Sequence, residues 1–194
     1  MRTIYEFLLN EHLLKNKTAV KEYLYHPTKP KELRDIIIDL SKKGETNFNN
    51  IDTSAMTSMD SVFLALKYIN EIDISEWDVS NVTDMSDMFN GCENFTADLS
   101  GWDVSSVNNM QAMFCECKKF DSDISNWDVS NVKDASLMFY DCESFSTDIS
   151  GWPITMEMLK NTKYMFGLCY KLYELEMVPD WYENRTKILL NSKH

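Results

Sequence analysis

The sequence predicts an α/β repeat solenoid, a stack of about five strand-turn-helix coils with helical caps at both ends. Three observations carry that prediction. Trp77, Trp102, Trp127 and Trp152 stand 25 residues apart, and aligning on them brings three full units into register: WDVSNVTDMSDMFNGCENFTADLSG, WDVSSVNNMQAMFCECKKFDSDISN and WDVSNVKDASLMFYDCESFSTDISG. A fixed period of this length is the signature of a repeat architecture. Within each unit the apolar spacing changes from a strand-like to a helix-like period. The units at either end are irregular, as end repeats are when they lack one neighbour. The unit from Ile51 has Ile in place of Trp and one inserted residue, and the unit from Trp152 is two residues longer before Phe166.

Residues 1–50 precede the repeat and carry nine basic and seven acidic residues. An early helix is expected around Ile4 to Leu24. In TKPKELRDIIIDLSKKG, Thr28 suits a cap and Pro30 the first turn, while Leu33, Ile36, Ile37 and Leu40 form an apolar stripe ending before Gly44. That is the pattern of a helix. Its expected task is to cover the open edge of the first coil, because an uncovered edge invites association; a docking element is the alternative.

In the repeat, Met85, Met88, Phe89 and Cys92 fall at i, i+3, i+4 and i+7, as do Met110, Met113, Phe114, Cys117 and Ala135, Met138, Phe139, Cys142. This spacing predicts a short helix in each unit. Ser80 with Asn81, Ser105 with Ser106 and Ser130 with Asn131 precede the stripes and offer capping oxygens. Segments such as DLSGWDV and DISNWDV suit a short strand or extended turn. Neither element buries its apolar side alone, so side-by-side stacking is required. It sets a narrow parallel sheet opposite a wall of helices. Strands about 4.8 Å apart and helices about 10 Å apart predict a curved stack. After the repeat, VPDWYENRTKILL, with Pro179 near its start and Trp181, Tyr182, Ile188 and Leu189 apolar, predicts a helix that closes the last coil. The organisation is therefore a cap over 1–50, a solenoid over 51–175 and a cap over 176–194, in one folding unit.

From Met113 to Ala135 the chain follows M-F-x-x-C-x-x-F-x-x-D-I-S-x-W-D-V-S-x-V-x-x-M, with Ala in the last position. This pattern resembles the bacterial surface-protein repeat of roughly 26 residues, a relative of the BspA-like leucine-rich repeats. The resemblance covers residues 51 to about 175. It implies a leucine-rich-repeat-like solenoid without catalytic activity, of a kind found on surface lipoproteins and adhesins that bind host or bacterial proteins. This sequence differs from such members in showing no signal peptide, lipobox or wall anchor.

The 194 residues are 44% hydrophobic, enough for a sizeable core, with 31 acidic and 19 basic residues and a net charge of -12. That balance argues against direct nucleic-acid binding through phosphates and favours a basic partner surface. No apolar run approaches the roughly 20 residues of a membrane helix. Glu6, Asn10 and Glu11 interrupt the apolar N-terminus, with no small-residue cleavage site following. A cytoplasmic setting is expected, the alternative being the cell surface or secretion after removal of a leader. The charge is concentrated: residues 71–150 hold 17 acidic and three basic residues. Asp73, Asp98, Asp123 and Asp148 form one column and Asp78, Asp103 and Asp128 another, with Ser75, Ser100, Ser125 and Ser150 between them. Like charges about 5 Å apart repel by roughly 0.8 kcal/mol in water. Hydrogen bonds from turn N–H groups, a bound cation or a basic partner are the three ways to offset that repulsion. The glycine-rich nonapeptide of calcium-binding rolls is missing, which disfavours the cation.

Other columns admit a packing reading beside a functional one. The tryptophans suit turn packing, with a base-stacking or sugar-stacking platform as the alternative. Met85, Met88, Met110, Met113, Met138 and Met165 suit core filling rather than a soft-metal site or adaptable groove. Cys92, Cys117, Cys142 and Cys169 repeat at one position and are expected to be reduced and buried, since helices in adjacent coils lie beyond disulfide reach. Cys115-x-Cys117 has the wrong spacing for a metal knuckle, and Cys115 is expected to be partly exposed and reactive. His12, His26 and His194 lie outside the repeat without a recognisable catalytic constellation. The expectation is thus a protein without enzyme activity, cofactor or membrane contact. Its Asp73, Asp78, Asp98, Asp103, Asp123, Asp128 and Asp148 would engage a basic partner protein. One alternative is an intracellular inhibitor, of a kind phages encode, occupying the nucleic-acid site of a defence nuclease. Another is a surface adhesin without its leader.

Overall fold

The computed structural model describes residues 21–191 of the protein, so most of the segment expected to form the first helix lies outside the described residues. Its last residues are not helical. Leu24 N–H bonds the Asn50 carbonyl at 2.8 Å, and Tyr25 forms a parallel bridge with Ile51. The first helix, α1, is Pro30–Lys42, with Leu33, Ile37 and Leu40 buried along its apolar stripe. Its cap differs from the expected one. Lys29 is the N-cap residue and makes no side-chain cap bond. Thr28, one residue earlier, donates its N–H and hydroxyl to Glu32 Oε2 at 2.9 and 3.2 Å. The Glu32 carboxylate thus ties down the entering chain and also lies at the positive end of the helix.

The repeat corrects the expectation of a strand and a helix in each unit. The stripe Met85, Met88, Phe89 and Cys92 is fully buried, yet it folds as a run of tight turns. Met88 N–H bonds the Met85 carbonyl at 3.3 Å, Asn90 that of Asp87 at 3.2 Å, and Cys92 that of Phe89 at 2.9 Å. The alternate N–H groups leave the unit. Met85, Asp87 and Phe89 bond the carbonyls of Asn109, Gln111 and Met113 at 2.9 Å each, and Gly91 bonds that of Cys115 at 2.8 Å. An α-helix needs each N–H for the carbonyl four residues back. Here every second donor serves the neighbouring unit instead. The path requires left-handed backbone at Asp87 (φ 53°) and Gly91 (φ 75°), and the same pair recurs at Ala112 and Glu116, Leu137 and Asp141, and Tyr164 and Leu168, with φ between 51° and 60°.

The segments expected as strands are corners. Trp102 N–H bonds the Leu99 carbonyl at 3.1 Å and Val107 that of Val104 at 2.9 Å. Single parallel bridges link Ser58 to Asp84, Asp84 to Asn109 and Asn109 to Asp134, and none grows into a strand among the described residues. Ser80, Ser105 and Ser130 cap no helix; their N–H groups bond Asp78, Asp103 and Asp128 at 3.0 Å each. With no helical wall in the three full units, the curvature expected from unequal walls loses its basis.

Side-chain columns hold successive units together. Phe89, Phe114, Phe139 and Phe166 are fully buried and stack in order, ring centroids 5.6, 5.7 and 5.6 Å apart and planes within 7° of parallel. Phe95, Phe120 and Phe145 form a second file beside them, at 6.0 and 5.9 Å. The tryptophans pack rather than present a platform. The indole N–H of Trp77, Trp102, Trp127 and Trp152 donates to the preceding unit's Phe48, Ile74, Leu99 and Ile124 carbonyl, at 3.0, 3.1, 3.2 and 3.0 Å. The six methionines of the stripe are fully buried. The result is one compact domain, low in regular secondary structure and without a sheet among the described residues, around an extensive buried aromatic cluster.

All five cysteines are free and buried. The thiols of Cys92, Cys117, Cys142 and Cys169 donate to the carbonyls of Phe63, Phe89, Phe114 and Phe139 at 3.1, 3.0, 2.9 and 2.7 Å. Cys115 corrects the expectation of exposure: it is 8% exposed, screened by the turns that flank it. Burial pushes the thiols of Cys92 and Cys169 up to about 12 and that of Cys115 up to about 11, and raises Cys117 and Cys142 well above the ordinary range. The reactive species is the thiolate, which at pH 8 is then about one part in a thousand or less. Iodoacetamide at pH 8 is therefore expected to leave all five unlabelled in the native protein and to label five after denaturation. Rapid native labelling of Cys115, read by intact mass, would contradict this.

Helices enter with the irregular last unit, where α2 (Met156–Lys160) is capped by Thr155, whose hydroxyl accepts the Met158 N–H at 3.1 Å. Next comes α3 (Tyr170–Glu174). The single helix expected near the C-terminus is two, α4 (Asp180–Glu183) and α5 (Arg185–Asn191), divided at Asn184. The division lets Tyr182 stand edge-on to Phe166 at 4.8 Å, so α4 covers the end of the phenylalanine file, while α5 packs on α2 and α4.

Candidate interaction surface

The seven aspartates of the two columns are all exposed, and the sequence pattern Asp-x-Ser explains how each is held. The carboxylate of the first residue accepts the N–H of the third, closing a small turn that fixes the corner of the unit. For Asp73, Asp98, Asp123 and Asp148 the bond from Ser75, Ser100, Ser125 and Ser150 measures 3.2, 2.9, 3.1 and 2.9 Å. Asp78, Asp103 and Asp128 accept from Ser80, Ser105 and Ser130 in the same way. The serine hydroxyl adds a second bond at Asp73, Asp78 and Asp123, at 2.7, 2.6 and 2.7 Å. Asp73 also accepts from the Asn47 amide at 2.9 Å.

These bonds decide the electrostatics. The serine hydroxyl, with its N–H, holds the carboxyls of Asp73, Asp98, Asp103, Asp123 and Asp128 below the ordinary carboxylate range, and for Asp148 the serine N–H contributes most. Asp73 and Asp123 push Asp98 the other way, but more weakly than its serine pulls. These six carboxylates therefore stay ionised despite the repulsion along the columns. Among the described residues none of the seven is in an ion pair; Lys21, whose charge acts on Asp73, pairs with Glu76. The first column borders shallow hollows, one of about 360 Å³ lined by Asp98, Asp121, Asp123, Thr96 and Lys119 among others. Among the described residues no group of His, Cys, Asp and Glu is arranged to hold a metal ion.

A third column escaped the sequence reading. Asp84 and Asp134 accept the N–H of Ser86 and Ser136 at 2.9 and 2.8 Å, with Asn109 doing the same for Gln111 at 3.1 Å. The same Asp-x-Ser spacing marks Asp84 and Asp134 in the sequence, so the signal was present.

The carboxyl shifts set a pH dependence. A carboxyl whose folded pKa lies below its unfolded value stabilises the fold above the unfolded value, near 3.9, and that contribution is lost as pH falls through the folded value. The melting temperature is thus expected to hold between about pH 7 and pH 5 and to fall below about pH 4. Asp123→Asn, which keeps the turn bond, is expected to soften the fall. A melting temperature that rises on acidification would show that repulsion within the columns outweighs the turn bonds.

No helix among the described residues is long and apolar enough to cross a membrane. No curated protein and no solved structure matches the chain. One family does match, over residues 57–177, a span that takes in the tight turns, the phenylalanine and tryptophan columns and the aspartate corners. With that span covering more than half of its 194 residues, the chain belongs to the family described as Mycoplasma protein of unknown function, DUF285.

Proposed function

We propose that the units stack as a leucine-rich-repeat-like solenoid, akin to the BspA-like surface repeats, and that this stack is a non-enzymatic binding module whose acidic face engages a basic partner protein. The solenoid reading is supported by bonds and ring stacking that join each unit to the next at a spacing of about one repeat, from Ser58 to Asp134 and from Phe89 to Phe166. The binding reading rests on one observation. Seven exposed carboxylates, in two regular columns, have no ion pair among the described residues, and six of them are held below the ordinary pKa range. A surface like this speeds encounter with an opposite charge and rejects like-charged competitors.

The test uses a lysine-rich synthetic peptide as probe, followed by fluorescence anisotropy. Binding is expected to weaken at least about tenfold between about 50 mM and about 500 mM NaCl. A similar loss is expected when Asp98, Asp103, Asp123 and Asp128 are changed together to Asn. Asn retains the turn-forming oxygen, so the change removes charge while keeping the corner. Affinity unchanged by salt and by the quadruple change would overturn the proposal.

A further inference from the structure

Three hollows on the described surface join into one groove. The first, of about 220 Å³, lies at the C-terminal end of α1 and is lined by Gly44, Glu45, Tyr68, Asn70 and Glu71 among others. Asn70 and Glu71 also line the second, of about 290 Å³, whose far side is formed by Asn94, Thr96 and Lys119. Thr96 and Lys119 in turn line the third, of about 360 Å³, which reaches Asp98, Asp121 and Asp123. Backbone bonds fix the order of these walls. Thr96 N–H bonds the Asn70 carbonyl at 3.3 Å, and Lys119 N–H bonds that of Glu93 at 3.2 Å. The groove thus crosses from α1 over three successive units beside the first aspartate column. Its charge is one-sided: Glu45, Glu71, Asp98, Asp121 and Asp123 line it against one cation, Lys119. Asp121 accepts the Ser146 N–H and hydroxyl at 2.8 and 3.0 Å, as Asp98 and Asp123 accept from their own serines. Glu45 and Glu71 make no side-chain hydrogen bond or ion pair among the described residues, and Lys43, whose charge Glu45 feels, pairs with Asp39. At the α1 end the Tyr68 side chain is 54% exposed.

Given the proposed role of the acidic face, on which this rests, we infer that the groove takes an extended, arginine-containing segment of the basic partner, with one arginine stacked on the Tyr68 ring. Shallow hollows strung side by side admit a single extended chain, whereas a helix is about 10–12 Å across. Units spaced like paired backbones, about 4.8 Å apart, put the ends of the groove about 15 Å apart, the span of about five extended residues. Alternate side chains of such a segment point the same way, so basic residues two apart face the carboxylates while the others face water. Tyr68 and Glu71 line the same hollow and select arginine over lysine. A planar guanidinium lies flat on an aromatic face while its edge forks to a carboxylate, and a lysine ammonium does not. Lys119 is the one lining residue that opposes a basic occupant, so the occupant's charges fall on either side of it. The net charge of -12 disfavours a second copy of the chain as occupant.

The probe is a fluorescein-labelled peptide of about seven residues alternating arginine with proline, which holds it extended, beside a lysine counterpart of equal charge. Both are titrated into the full-length protein and followed by fluorescence anisotropy. The arginine peptide is expected to bind about threefold or more tighter than the lysine peptide, and Tyr68→Ala to remove that preference. Glu71→Gln is expected to weaken the arginine peptide about threefold, and Lys119→Glu to tighten it by a similar factor, a gain that no loss of folding produces. Asp103→Asn combined with Asp128→Asn alters the second column, which does not line the groove, and reports on the acidic face as a whole. If that pair and added salt weaken binding while the changes at Tyr68, Glu71 and Lys119 leave it unaltered, the groove is not the site and the acidic-face reading stands. Binding indifferent to salt and to every one of these changes would overturn both.

Discussion

Phe114→Ala is expected to bring the folded protein near its unfolding threshold. Phe114 is fully buried and stacks against Phe89, Phe120 and Phe139 at 5.6, 4.0 and 5.7 Å, with Trp127 at 6.2 Å. Truncation removes its transfer energy and leaves a cavity that flanking rings fill only by shifting the file on both sides. The cost in such a site is about 3–5 kcal/mol, against a total stability of about 5–15 kcal/mol for a domain. In urea the midpoint is expected to fall by about a fifth or more, whereas Phe114→Leu, which keeps most of the volume, is expected to cost less than about 2 kcal/mol. Tyr182→Ala, at the end of the file and with Phe166 on only one side, is expected to cost less than Phe114→Ala. Equal losses at the two positions would mean that the aromatic file does not act as the continuous core of the domain.

The file was legible in the sequence because its members touch their own copies. A ring that stacks on the equivalent ring of the next unit fixes both residue type and spacing, and so the repeated phenylalanines, tryptophans and the column of Cys92, Cys117, Cys142 and Cys169 are interior as their spacing implies, whereas Cys115, outside the column, is buried against expectation. The backbone between them was not legible, for a specific reason. A chain of tight turns with a left-handed residue at every fourth position sends Met85, Met88, Phe89 and Cys92 inward just as a helix does. The periodicity cannot separate the two. Glycine is the usual marker of left-handed turns, but of the two such positions in each of the last four units only Gly91 carries it; the others are Asp87, Ala112, Glu116, Leu137, Asp141, Tyr164 and Leu168. Each non-glycine residue there costs roughly 1–2 kcal/mol of backbone strain. The bonds to the next unit offset it, and those bonds cannot be seen within one unit. The aspartate columns were legible as columns. Their Asp-x-Ser corners were anticipated as turn bonds, while the equivalent corners at Asp84 and Asp134 were passed over because their spacing had already been assigned to a helix start.

Arg34→Met is expected to loosen the first unit selectively. The Arg34 guanidinium, part-buried, donates to the carbonyls of Ser61, Val62 and Leu64 at 3.0, 3.0 and 2.9 Å, and the last two occupy the register that each later unit fills with N–H groups from its predecessor. No earlier unit of tight turns is described to supply those donors, and one planar side chain on α1 replaces them. Lysine cannot do so, because its single ammonium group lacks the forked geometry that spans several carbonyls. Methionine keeps the length and packing of the stem but leaves the acceptors without their charged donor, a loss of about 2–4 kcal/mol in a part-buried setting. Since the bonds within the later units are untouched, the effect is expected to be local. Amides from Met59 to Leu66 should exchange at least about thirtyfold faster, while those from Met110 to Cys117 change little. Uniform acceleration across both segments would mean that the first unit unfolds only with the whole domain and that Arg34 contributes to global stability instead of closing one edge. Unchanged exchange at Met59 to Leu66 would mean that those carbonyls are satisfied without the guanidinium, and the role of Arg34 in closing the edge of the first unit would then fail.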